Sequence, residues 1–402
     1  GGLSTGGLVI WIDRMSDWTG RQVIAGIAAE LMDRLPKDAI QGPPRADWGS
    51  RDAATAAYWA QRTAAYHGIV TWSPTIDPEA LKSLSLRMVL EEKARLLLHS
   101  WASMPIVEDG ALRGAIFETK EGRQAVLAKV VVDTTGDADL LARAGAPLES
   151  DIDTGDIHHC INTAFLMGGV DMDRFIAFRT TEKARYSDLL QQGREELRSF
   201  EKPFVGWRRD VALFMGPRLT GYSAVNVEDL TEVEIRSREL TDHHITFYRR
   251  NMPGFERAFL MLGGPQIGVR HSRRIGGVRK VVRAQWDTGE VWPDEIGVST
   301  SLSPKFPNIS VPYGALVPAI LDGVIAAGRH VACDATSHSF LREIPQCWMT
   351  GQAAGIAAAL AVARSQAPRH VAPRLIQQEL LRQGAYLSPT TETSARVSAA
   401  AE

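Results

Sequence analysis

Three stretches near the C-terminus decide how this chain is read: Gly323-Val-Ile-Ala-Ala-Gly-Arg-His-Val331, the loop from Ser337 to Pro345, and Thr350-Gly-Gln-Ala-Ala-Gly-Ile-Ala-Ala-Ala-Leu360. A short apolar run ends at Gly328-Arg329, a polar loop follows, and a helix is expected to open with small residues from about Met349. A strand that delivers its C-terminal end to a ligand, followed by a helix whose N-terminus faces the same ligand, has this form. Small residues at Gly351, Ala353, Ala354 and Gly355 let a backbone approach something flat or charged. The first free amides of such a helix fall at Gly351, Gln352 and Ala353, where the helix carries about half a positive charge.

Working outward, a second strand end has the same character. Val130-Val131-Val132 is a continuous β-branched run, as in a strand buried on both faces, and it breaks at Asp133-Thr134-Thr135-Gly136-Asp137. Just upstream, the acidic-glycine turns Glu108-Asp109-Gly110 and Lys120-Glu121-Gly122 separate three β-rich runs, 96–104, 112–119 and 124–133. That is a three-stranded meander. Asp77-Pro78 reads as an N-cap and first helical position for a helix running to about Arg95. Further helices are expected over 21–35 and 53–66. From about Ser150 the chain becomes charged and aromatic, with helical patterns near 171–178, 184–200 and 228–251, and a dense basic run at Gly268-Val-Arg-His-Ser-Arg-Arg. The Ser/Thr/Ala-rich tail from 386 to 402 reads as disordered.

Bulk properties exclude several classes. The chain has 402 residues, 45% hydrophobic and 23% charged, with a formal net charge of −2, so nothing points to nucleic acid. Three cysteines, Cys160, Cys333 and Cys347, show no C-x-x-C spacing, which argues against a disulfide framework or a zinc site and for a reducing, cytoplasmic setting. No apolar run approaches the roughly 20 residues needed to span a bilayer. The pairs His158-His159 and His243-His244 lack metal-ligand spacing, and no metal is expected.

Taken together, the motifs resemble the FAD-dependent oxidoreductase family with a glutathione-reductase type of FAD domain, and most closely its bacterial group with a GG-x-x-T loop, an ATGD-type turn, a GVR-x-SRR segment and an AGR…GQAAG tail. The matching residues are Gly1-Gly2-Leu3-Ser4-Thr5, Val132 to Asp137, Gly268 to Arg274, Val311-Pro312-Tyr313, Gly328-Arg329, Arg342 and Gly351 to Gly355, in the family's order over nearly the whole chain. The resemblance implies an α/β fold: an FAD/NAD(P)-binding Rossmann-like domain with the β-meander, and a second α+β substrate or cap domain. The expected division is 1–150 and 308–385 for the FAD domain and 151–307 for the cap. It assigns the cofactor FAD to Gly1, Gly2, Thr5, Ala102, Thr134, Thr135, Gly136, Asp137, Gly328, Arg329, Gly351, Gln352 and Ala353. Substrate contact would fall to Arg270, His271, Arg273 and Arg342, with an arginine clamping a carboxylate and His271 moving a proton. Pairing of the basic run with Glu290 or Asp294 is the alternative.

No G-x-G-x-x-G follows a strand, and no acidic residue stands about 20 positions beyond one. In the family these precede the GG-x-x-T loop, so the N-terminal βαβ unit is expected to precede Gly1. The expected activity is hydride transfer between flavin and a small organic substrate at the domain interface. The alternatives are a truncated relative acting as a non-catalytic interaction protein, or one half of a split flavoenzyme. Partners on this reading are a small-molecule substrate and either a homo-oligomer or a chain supplying the missing unit.

Overall fold

The computed structural model describes residues 2–150, 161–197 and 199–400, with side chains to 396. Gly1, Cys160 and the His158-His159 pair lie outside the described residues. The chain forms two compact units: one from 1–13, 34–87 and 152–272, the other from 14–33, 88–151 and 273–402. The contact boundary falls at 272/273, inside the basic run.

The first unit is organised by a four-stranded antiparallel sheet. Phe165–Gly168 lies between Val211–Phe214 and Phe259–Gly263, and Phe204–Val205 extends the edge. One face carries an aromatic core in which Phe165, Phe175, Phe214, Phe247, Tyr248 and Phe255 are buried together. Phe165 and Phe214 stack at 4.6 Å between ring centroids, an arrangement worth more than its buried area alone. Helices Met172–Thr181, Lys183–Glu196 and Val227–Asn251 supply the other half of this core. Asn226 caps the last of these through the amides of Glu228 and Asp229. Asp77 caps Pro78–Glu91 in the same way.

The second unit contains the meander: Trp101–Glu108, Ala111–Thr119 and Gly122–Leu127 pair consecutively and antiparallel. The third strand ends at Leu127 rather than continuing to 133. Val131–Asp133 is a separate strand, paired in parallel with Val324–Ala326 in register Val131↔Val324. With one neighbouring strand among the described residues, Val131 and Val132 are half-buried and not buried on both faces; the fully enclosed residue is Asp133. Three further expectations need correction. The helix expected over 21–35 begins only at Ile27, after Gly26 takes a left-handed φ of +61°. The helix expected over 53–66 ends at Ala60. The expected disordered tail is helical over Pro389–Ala400, with Leu387 and Ala395 buried.

Candidate functional site

The parallel pair in the second unit ends in two turns that interlock. After Val131–Asp133, the Asp133 carboxylate folds back on the chain. Its Oδ1 accepts from Thr135 N (2.9 Å) and Thr135 Oγ1 (2.8 Å), and its Oδ2 accepts from Leu141 N (3.3 Å). Thr135 Oγ1 in turn accepts from Asp139 N at 2.9 Å. The short helix Asp139–Arg143 that follows packs on the first meander strand, which carries Ala102. Asp133 thus caps this turn from the strand side.

Asp137 has another task. Arg329, directly after the second strand, donates from Nη2 to Asp137 Oδ1 at 2.7 Å. The guanidinium lies over Gly136, where an added Cβ would sit 2.8 Å from Nη1. Gly136 has φ +86°, so both its backbone and its missing side chain are required. Arg329 Nε is buried and has no hydrogen-bond acceptor among the described residues. Beside it, His330 is fully buried, with Nε2 4.0 Å from Asp133 Oδ1, and burial lowers its pKa and keeps it neutral.

Gly328 N donates to Thr350 Oγ1 at 3.1 Å, and Thr350 Oγ1 also donates to Gln346 O at 3.0 Å. This ties the end of the strand to the helix at the residue before Gly351. Gly328 has φ +104°, and an added Cβ at either Gly328 or Gly351 would meet nothing within 4 Å. Both glycines face open space.

The helix itself differs from expectation. It runs Ile344–Ala363, with Glu343 as N-cap and Pro345 in the first turn. Gly351, Gln352 and Ala353 lie about two turns inside it, so their amides are intrahelical and the positive end of the dipole is not there. Gln352 is held by protein partners: its Oε1 accepts from Ile27 N (3.2 Å), and its Nε2 donates to Gln383 Oε1 (3.0 Å). Ala353 is packed in the core.

The other candidates are placed as follows. Arg273 donates from Nε to Asp137 O (2.7 Å) and from Nη2 to Asp139 Oδ1 (2.5 Å), and Arg274 lies 3.8 Å from Glu149 Oε2. Asp139 and Glu149 are thus acidic partners of Arg273 and Arg274 in the basic run. Arg342 is 7% exposed and pairs with Glu343 at 3.2 Å. His338 is buried, with Nε2 at 2.8 Å from Arg329 O. Burial pushes the Cys347 thiol up to about 11. In the first unit, Arg270 is half-buried and His271 buried. Thr5 Oγ1 donates to Gly2 O at 3.4 Å, and an added Cβ at Gly2 would meet the Gln266 amide at 2.8 Å. Sequence reasoning missed Thr350 and His330. A threonine able to bond back to a carbonyl four residues earlier, just ahead of the glycine, was the available signal.

A family model described as FAD dependent oxidoreductase matches residues 1–380. The chain belongs to this family. FAD is accordingly the cofactor of this oxidoreductase. No curated protein matches it. Among solved structures it is similar to a geranylgeranyl bacteriochlorophyll reductase-like protein from Thermoplasma acidophilum (14% identity, 78% of this chain and 61% of that one, TM-score 0.41). It is also similar to p-nitrophenol 4-monooxygenase from Pseudomonas putida (11%, 85% and 62%, TM-score 0.35) and L-proline dehydrogenase from P. horikoshii (10%, 74% and 60%, TM-score 0.32). The chain spans less than two thirds of the length of each. Among the described residues no helix is long and apolar enough to cross a membrane.

The residues present fit a bound FAD. Gly328 and Gly351 leave a space that any side chain would narrow, and Arg329 holds a buried N–H with no acceptor beside it. This is the donor chemistry that an anionic, flat cofactor meets in an α/β site.

Proposed function

We propose that the second unit holds FAD against Gly328 and Gly351, with Arg329 contributing charge and an N–H, and that the oxidoreductase exchanges a hydride between the cofactor and a small organic substrate. The hydrogen bond from Gly328 N to Thr350 Oγ1 carries this reading, because it ties the open end of the strand to the helix at the residue before the open Gly351. When bound, FAD supplies the two-electron chemistry. The protein supplies position. Asp133 rigidifies the turn that carries Thr134 and Thr135, and the Asp137–Arg329 pair sets the guanidinium over Gly136. Ala102, in the same unit, stands as a cofactor contact on the family pattern. Of the four substrate candidates, Arg273 and Arg342 already hold carboxylates, so their first role is structural. On the family pattern, Arg270 and His271 remain candidates for orienting an anionic substrate and moving its proton.

The test is to incubate the purified full chain with FAD, pass it through a desalting column and record its visible spectrum. Flavin colour that elutes with the protein, bleaches with dithionite and returns in air supports the reading. A colourless protein overturns it.

A further inference from the structure

The first unit contains a cavity of about 600 Å³ that the flavin reading does not use. Ligand pockets span about 300–1,000 Å³. Its walls come from distant parts of the chain: Gln61 and Thr63 after the Ala53–Ala60 helix, Arg179 and Tyr186 from two helices, 200–204, and Arg218. Three cations, Arg179, Lys202 and Arg218, line it against one carboxylate, Glu201.

Arg179 is the telling group. Its Nη2 donates to the Gln61 carbonyl, its guanidinium carbon lies 5.2 Å from the Phe175 ring centroid, and Tyr186 hydrogen-bonds to it. Among the described residues no carboxylate pairs with it, and its buried Nε has no acceptor. Burial lowers its pKa, with the positive charge of Arg62 adding to the effect. A guanidinium withdrawn from water without an anion is unfavourable, and a carboxylate matches its fork in two hydrogen bonds.

The opposite wall is rigid. Glu201 N donates to His244 Nε2 at 3.1 Å, and Tyr248 Oη donates to Glu201 O at 2.8 Å. His244 Nδ1 lies 2.6 Å from Leu240 O, which makes Nδ1 the donor and Nε2 the acceptor. The Glu201 carboxylate sits 3.3 Å from Arg218 Nε and occupies part of that cation's capacity. Phe200 and Phe204 complete an apolar side of ring size.

We propose that this cavity is a binding site for a small organic acid, with the acid's carboxylate on Arg179 and its apolar body against Phe200 and Phe204. The site lies wholly in the first unit and needs no flavin, so its test is independent of the cofactor. Benzoate is the probe and benzamide its neutral isostere, each titrated calorimetrically into the full chain.

Saturable benzoate binding is expected, with benzamide at least about tenfold weaker, because charge-assisted hydrogen bonds are lost. Arg179→Gln should weaken benzoate by at least about tenfold. Glu201→Gln should act in the opposite direction and tighten benzoate about two- to fivefold, since it removes a repelling charge and releases Arg218. Structural damage would not produce that tightening, so the Glu201 variant decides the matter if Arg179→Gln fails to fold. No saturable benzoate binding, equal binding of benzamide, or a Glu201→Gln variant that binds benzoate no tighter would overturn the proposal.

Discussion

Gly351→Ala separates the cofactor cradle from ordinary surface, because the two predict different combinations of effects. Gly351 lies in the interior of the Ile344–Ala363 helix, has no positive φ, and its added Cβ would meet no atom within 4 Å. In the free protein the substitution therefore removes only the conformational freedom of glycine in the unfolded chain. It should stabilise the fold by about 0.5–1 kcal/mol, or about 1–4 °C in Tm for a unit of this size. If FAD fills the space, the same methyl intrudes on a packed contact, which costs about 1–3 kcal/mol and so weakens affinity by about fivefold or more. The assay pairs differential scanning fluorimetry of the free protein with FAD titration followed by flavin fluorescence. Higher Tm with weaker FAD binding is the expected pair. Higher Tm with unchanged FAD affinity would refute the placement of the cofactor at Gly351.

Other consequences follow from the same contacts. Arg273→Ala removes two charge-assisted hydrogen bonds to the 137–139 turn and should lower stability by about 1.5–3 kcal/mol in urea unfolding; an unchanged midpoint would mean that the pair is not formed. Cys347, with its thiol near 11, is about one part in a thousand thiolate at pH 8. It should stay unlabelled by iodoacetamide under native conditions, and rapid modification found by peptide mapping would contradict its raised pKa. His244 and His330 both have pKa values lowered by burial. The unfolded chain takes up these protons near pH 6.5 while the folded one resists, so their contribution is complete above that pH and lost as pH falls. Urea midpoints should drop on acidification from about pH 7.5 to 5.5, and less steeply in His244→Gln; a profile equally steep in the variant would rule His244 out as a source.

Local chemistry was legible in the sequence where the signal is short-range. The Asp77 cap and the Asp109-Gly110 turn each need only neighbouring residues, and both form. The start of the Ile344–Ala363 helix was legible too but misassigned: Pro345 marks a first helical turn, while the run of small residues drew the boundary five positions too late. The strand expected to run to Asp133 divides after Leu127 because Val131–Asp133 pairs with Val324–Ala326 instead of with the meander. Partners far apart along the chain could not be read. Arg273 with Asp139, Gly328 with Thr350 and Arg179 with Gln61 are set by tertiary folding alone, and the cavity around Arg179 left no local pattern at all.

A crystal structure of the full chain with FAD tests the central claim most directly. The account predicts cofactor atoms in van der Waals contact with Gly328 and Gly351, and Arg329 Nε, which has no acceptor among the described residues, within hydrogen-bonding distance of an anionic or carbonyl oxygen of FAD. FAD bound elsewhere, with those two glycines still facing solvent and the Arg329 side chain untouched, would contradict it.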